Sequence, residues 1–475
     1  MKKKSVSVIS IALCLMICML LPVQHTSAGS DAEKTDPSKA GQIRAIWHQP
    51  KEKTSEEVEQ AVQKIADAGF NAVFLNTVFN GYTIFPTDYE GATHNPDYEG
   101  FDVLQAYLDA CHSRGMVVHA WCDSLFAGLE SYHDGGPLIK QYPEWLLEDN
   151  AGNNYESTMY GKMYVLNPVR PECREWVIGL YKYVCERYAL DGLQLDYVRY
   201  PEKTDSVDFG YDEYTLNAFK EAYGIDAVKA EPGSEEALAF VRFKQDAVTE
   251  FVRSCYTTLK SVRPDLIISV SVSPYFAYAE SNYMQSARLW MKKGYADWLV
   301  PMAYYENSVA DHVISSVTAA GRDSDKVVVG ISAQSGFSPE SLDHHAQIAE
   351  AAGCGFAVFE YEFYFIYEYD KVLGNRLANT RFFNEETQSS DPEVTGDNET
   401  EETAGKVQTE DAVATQEAEA AEGTDNSPDG EEAGSPDGKT NTKLYIVEAI
   451  VAVLLVLAYV AAFVLMMIKK KRAGE

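Results

Sequence analysis

Residues 42–384 predict an α/β fold, a (β/α)8 TIM barrel, on three observations. Short apolar runs alternate with amphipathic helical stretches along the whole segment, there are eight such runs, and the turn after the first, "WHQPKEK" (47–53), contains no glycine. Alternation of this kind builds parallel strands joined by crossover helices, and eight repeats close a barrel. A doubly wound sheet would need a reversal of strand order and a Gly-rich first turn.

The strands, in order, are "IRAIW" (43–47), "NAVFLN" (71–76), "MVVHAW" (116–121), "GLQLD" (192–196), "LIISVSV" (266–272), "DWLVPM" (297–302), "VVVGIS" (327–332) and "FAVFE" (356–360). The helices between them have legible ends. Thr54 followed by Glu57 is a capping box opening a helix that closes at Gly69. The helix after strand two ends at Gly115, and Pro171 opens the next at a first-turn position. A long stretch, 235–262, is apolar at helical spacing and stops before Pro264.

The flanks predict a different environment. Lys2–Lys4, an apolar run from Val6 to Leu21, and the small residues Thr26 and Ala28 read as a signal peptide over 1–28. Residues 385–442 hold 18 Asp and Glu against two lysines, which predicts a disordered acidic linker. Leu444–Ile468 is apolar except for Glu448, long enough for one transmembrane helix, and 469–475 is a basic tail that should stay cytoplasmic. The expectation is a single-pass cell-membrane protein with its barrel outside the cell.

Net charge is −32, of which about −21 falls on 42–384, and this excludes nucleic acid as a partner. Cys14 and Cys18 lie in the leader. Cys111, Cys122, Cys173, Cys185, Cys255 and Cys354 fall inside predicted helices and strands with no C-x-x-C, and are expected as buried free thiols.

A barrel presents its chemistry at the C-terminal ends of its strands. The fourth strand ends "LDYVRYP", and a carboxylate closing an apolar strand needs a reason, because burying a charge is costly. Around this rim stand the carboxylates Asp123, Asp196, Glu306 and Glu360. With them are the polar and aromatic residues Trp47, His48, Asn76, His119, Trp121, Tyr197, Arg199, Tyr200 and Tyr304. Paired carboxylates with aromatic neighbours suit glycoside hydrolysis: one protonates the leaving oxygen, and the other attacks the sugar or activates water. The long loop 122–170, rich in Tyr, Trp and Phe, either contacts substrate or packs onto the barrel. His48, His119 and Asp123 lack the spacing of a metal motif, and no loop is built to cradle phosphate, so no metal or cofactor is expected.

Several segments resemble the glycosyl-hydrolase-10-like family of bacterial secreted and surface proteins: "RAIW", "AGFNAVFLNTV", "VVHAWCD", "LDYVRYP", "LKSVRPDLIISVSV" and "DWLVPMAYYE". The resemblance runs over nearly all of 42–384 and implies a TIM-barrel glycosidase in which Asp196 matches the family's strand-four Asp, with Tyr200 and Pro201 in place. Relatives often carry a second acid where this chain has Tyr197, and Asn where it has Asp123. Related barrels take a nucleophile from the end of strand seven, which here reads "GISAQ" without an acid. The expectation is a surface-anchored glycoside hydrolase acting on a wall or environmental polysaccharide. Asp196 carries the chemistry, Glu306 is its first-choice partner, and Asp123 and Glu360 stand in reserve. Trp47, His48, Asn76, His119, Trp121, Tyr197, Arg199, Tyr200 and Tyr304 are expected to bind substrate. The alternative is a carbohydrate-binding or adhesion barrel without turnover.

Overall fold

In the computed structural model, residues 39–334 and 336–379 are described. The expected leader, acidic linker, membrane span and basic tail lie outside them. Among the described residues no helix is long and apolar enough to cross a membrane.

Eight parallel strands form the barrel: β1 (Arg44–His48), β2 (Ala72–Phe79), β3 (Val117–Asp123), β4 (Gly192–Asp196), β5 (Ile267–Val272), β6 (Trp298–Pro301), β7 (Val328–Ser332) and β8 (Gly355–Phe359). Each coincides with a predicted run, β4 residue for residue. Neighbours pair in the order β6-β5-β4-β3-β2-β1-β8-β7. The ring closes between β6 and β7 through two bridges, Leu299 with Val327 and Met302 with Gly330, a weaker seam than the others.

Strand alternation divides the core in two. Ala45, Trp47, Phe74, Trp121, Trp298 and Val300 fill the interior, while Ile46, Val73, Leu75, Val118, Leu193 and Val270 face the helices. Ala40 and Ile43, in and just after a single helical turn, close the bottom of the interior.

The helices used below are α1 (Ser55–Asp67), α2 (Val103–His112), α3 (Pro171–Arg187), α4 (Glu235–Val262), α5 (Ala287–Lys293), α6 (Val309–Ala319), α7 (Pro339–Ala351) and α8 (Tyr361–Ile366). Their starts follow the expected chemistry. The Thr54 hydroxyl accepts from Glu57 N–H, and the Glu57 carboxylate reaches back to Lys53 N–H, one residue beyond the usual box. Ser234 caps α4, a helix of 28 residues with the predicted ends.

The chain between β3 and α3 carries a small antiparallel sheet, in the order Phe126–Leu129, Gly161–Val165, Glu156–Thr158. Tyr142 and Trp145 stack at 3.9 Å and lie against Trp176 of α3, so these two aromatics pack the excursion onto the barrel. All six cysteines among the described residues are buried and unpaired, as expected.

Candidate active site

Asp196 is the last residue of β4, and alternation aims it inward with Gly192 and Gln194. Its Oδ2 accepts 2.9 Å from the Trp121 indole N–H, and its Oδ1 accepts 2.7 Å from the Tyr197 backbone N–H. Tyr197 takes a left-handed backbone (φ 50°), which turns the chain so that this N–H points back at the carboxylate. Burial pushes the Asp196 carboxyl up; the two N–H groups and the Arg199 charge oppose it. Arg199 lies between the Tyr197 and Tyr283 rings, about 5 Å from each centroid.

Asp123, at the end of β3, is the register partner of Asp196. It is 5% exposed, and its Oδ1 has no hydrogen-bond partner. Burial, and then the neighbouring Asp196 charge, push its carboxyl well above the usual range. Two adjacent carboxyls cannot both ionise cheaply, and the one with N–H donors keeps the charge. Asp123 is therefore the neutral member, and as an acid it offers an uncharged donor and acceptor.

Across the mouth, four strands away in the ring, β8 ends at Phe359 and Glu360 begins the turn into α8. Burial and the Glu362 charge raise the Glu360 carboxyl, and Lys51 opposes them. Glu362 is in α8 rather than on a continuing strand, where it pairs with Lys51. Tyr304, following β6, stacks on Phe359 at 5.5 Å between centroids. Burial holds its phenol far above the ordinary range, and the Asp196 and Glu360 carboxylates add to the effect. One hydroxyl thus lies within the field of both carboxylates.

Glu306 is placed differently. It is exposed in the turn before α6; its Oε1 accepts 2.9 Å from the Ser341 hydroxyl of α7, and its carbonyl meets His345. This holds it on the outer rim, tied to α7 and away from Asp196.

Three other expected contacts are not at the mouth. His48 follows the inward Trp47, so alternation sends it outward, where it meets Tyr107 at 2.7 Å, Glu52 at 3.2 Å and the face of Tyr361. His119 faces the interior below the mouth, stacked on Trp298, with burial lowering its imidazole to about 4. Tyr200 is buried in the loop after β4 beside Lys244, whose ammonium donates to Asp208 at 2.6 Å. Trp47 forms the floor, donating 2.6 Å to Gln194. Asn76 is inward on β2, just before its bulge and in register with Trp121, so it does reach the site. With His48 outside and His119 below, these residues do not converge on Asp123, and among the described residues no acidic, His or Cys group is spaced to hold a metal. Phe359, Gln194 and Glu52 escaped the sequence reading. For Glu52 the signal was its spacing four residues after His48, which becomes informative only once His48 is known to face out.

A profile of the family described as glycosyl hydrolase-like 10 matches residues 42–338. Glycosyl hydrolase DigH of Escherichia coli is 22% identical, over 62% of this chain and 74% of DigH, and DigH of Shigella flexneri matches to the same extent. The glycoside hydrolase domain of PgaB (BpsB) from Bordetella bronchiseptica superposes with a TM-score of 0.53 at 14% identity, over 70% of this chain and 98% of that domain. A beta-galactosidase from Marinomonas ef1 does so with a TM-score of 0.54 at 15% identity, over 73% and 60% of the two chains. At such identity the structural likeness carries the barrel fold.

Proposed function

Because the chain belongs to the glycosyl hydrolase-like 10 family, we propose that it hydrolyses glycosidic bonds with Asp196 and Glu360 as the working carboxylates. The observation that carries this is that Asp196 ends β4 and Glu360 follows β8, four strands away in the ring. A sugar lying over Trp121 and Phe359 would have one carboxylate on each side. Asp196, held by two N–H donors, stays ionised and either attacks the anomeric carbon or takes a proton from water. Glu360, raised by burial and Glu362, carries the proton for the leaving oxygen. Asp123 stays neutral beside Asp196 and can donate to a sugar hydroxyl.

Glu306, anchored to α7, is left out of the chemistry in this reading. His48, His119 and Tyr200 support the walls; Asn76, Trp121, Tyr197, Arg199 and Tyr304 face the substrate. The leader, acidic linker and apolar segment read from the sequence support display at the cell surface, with a wall or environmental polysaccharide as substrate.

The test uses the full-length chain with isolated wall glycan and a panel of neutral polysaccharides, following new reducing ends. Wild type is expected to release them, and Asp196→Asn to lose more than about a hundredfold in rate. Binding by both proteins with no release from any glycan would turn the reading to a surface lectin.

A further inference from the structure

On the β1 and β2 side of the barrel lies a cavity of about 320 Å³, within the range of small-ligand pockets, that shares Asn76 with the candidate site. Two of its lining residues are amides buried almost completely: Asn76 is 1% exposed and Asn80 is 0% exposed. Asn76 Nδ2, Asn80 Nδ2 and Asn80 Oδ1 have no hydrogen-bond partner. A buried polar atom left unpaired costs free energy, so three on two residues that line one cavity point to a ligand that supplies both donors and acceptors.

The backbone is built to present them. A bulge in β2 between Asn76 and Val78 re-aims the strand end, and Asn80 takes a left-handed conformation (φ 51°) at the tip. Gly136 passes so close that a Cβ there would collide with the Asn80 carbonyl. Aromatic walls complete the cavity: Phe79, Tyr82 and Tyr132 line it, with Tyr132 edge-on to Phe79 at 5.4 Å. The Tyr132 hydroxyl is fixed between Asn95 Nδ2 and Asp97 Oδ2, each at 2.9 Å.

The charged groups around the cavity are already engaged. Lys51 pairs with Glu362, Lys53 donates 2.6 Å to the Asp97 carbonyl, and the Asp97 carboxylate holds Tyr132 and lies 3.5 Å from His133. What is left unmet is amide, not charge. We propose that this cavity is a sugar subsite that takes a neutral, hydroxyl-bearing unit of the glycan chain. Asn76 is in register with Trp121, and Trp121 donates to Asp196, so one wall residue of the subsite is two steps from the β4 carboxylate. The inference rests on the glycan reading above, but not on turnover.

The test therefore measures binding. Full-length Asp196→Asn protein is titrated calorimetrically with cello-, xylo-, manno- and chito-oligosaccharides up to the hexasaccharide. The second mutation is Asn80→Gly, which keeps the left-handed backbone and removes the amide, or Ser131→Trp, which fills the cavity from its exposed rim. At least one hexasaccharide series is expected to bind, and each second mutation to weaken it about tenfold or more with melting temperature unchanged. No binding by any series, or affinity untouched by both changes, would overturn the subsite. Binding that depends on Asn80, with no products from wild type, would sink the hydrolase reading and leave the subsite standing.

Discussion

Asp196 and Glu360 are both raised above the ordinary carboxylate range, yet their surroundings separate them. Asp196 accepts two N–H groups that favour its charge; Glu360 has Glu362 beside it, which disfavours charge. With Asp196 ionised and Glu360 protonated as the active form, rate rises as pH passes up through the Asp196 value. It falls again as pH passes up through the Glu360 value. Trp121→Phe removes one donor to the charged form of Asp196, so that value rises and the acid limb of kcat/KM moves up by about one pH unit. Glu360→Gln costs about a hundredfold and abolishes the alkaline limb, while Glu306→Gln stays within about threefold. A pH profile of the three variants checks both statements. If Trp121→Phe moved the alkaline limb instead, the two carboxylates would have their roles exchanged.

At the scale of elements, the outward side of β1 is a joint between the barrel and two helices. His48 reaches Tyr107 of α2 and packs, tilted, against the Tyr361 ring of α8, and Glu52 closes the cluster, accepting 2.8 Å from the Tyr107 hydroxyl. Burial alone would raise the Glu52 carboxyl, but the hydrogen bond and charge of His48, then Tyr107, outweigh it and hold it at about 2 instead of 4.5. A carboxyl lowered on folding contributes stability that is present above pH 4.5 and is lost as pH falls towards 2. Glu52→Gln should remove that contribution. Urea midpoints are expected to differ most above pH 4.5 and to converge near pH 2. A constant gap across the range would mean that Glu52 acts by packing instead. This joint also shows what a sequence makes legible. The strands were readable because each is a short, largely apolar run between helical stretches with legible ends. The inward–outward period of two, applied from Trp47, would also have sent His48 outside. Asp196, Asp123 and Asn76 were readable for the same reason, as inward residues at strand ends. Beyond the last paired residue the period no longer holds. Glu360 directly follows β8 and Glu306 lies farther along the loop after β6, and one is held near Tyr304 while the other turns out towards Ser341. Only the loop path separates them. Asn80 and Tyr132 were legible as a rim residue and a loop aromatic, but that they share a pocket was not, since it depends on a bulge and on an excursion sheet contributed by distant residues.

For the molecule as a whole, charge constrains which glycan can approach. The segment 42–384 carries about −21 of the net −32, and the acidic linker has the same sign. A field of this sign repels anionic polymers over the screening length, while a neutral chain does not feel it. The unmet groups at the mouth agree, being the Asn76 and Asn80 amides and the Asp123 carboxyl that burial keeps neutral, with the nearby lysines engaged by Glu362 and Asp97. A neutral glucan and its carboxymethylated form present the same backbone with and without charge, so they isolate this effect. The full-length Asp196→Asn protein is expected to bind the carboxymethylated form more weakly at low salt. Raising ionic strength from about 0.01 to about 0.15 M shortens the screening length from about 30 to about 8 Å, so the gap should narrow, chiefly through faster association with the anionic polymer. Binding to the neutral form should hardly change. Tighter binding of the anionic form at low salt would reverse the sign, and would mean that a local basic patch at the mouth overrides the acidity of the molecule.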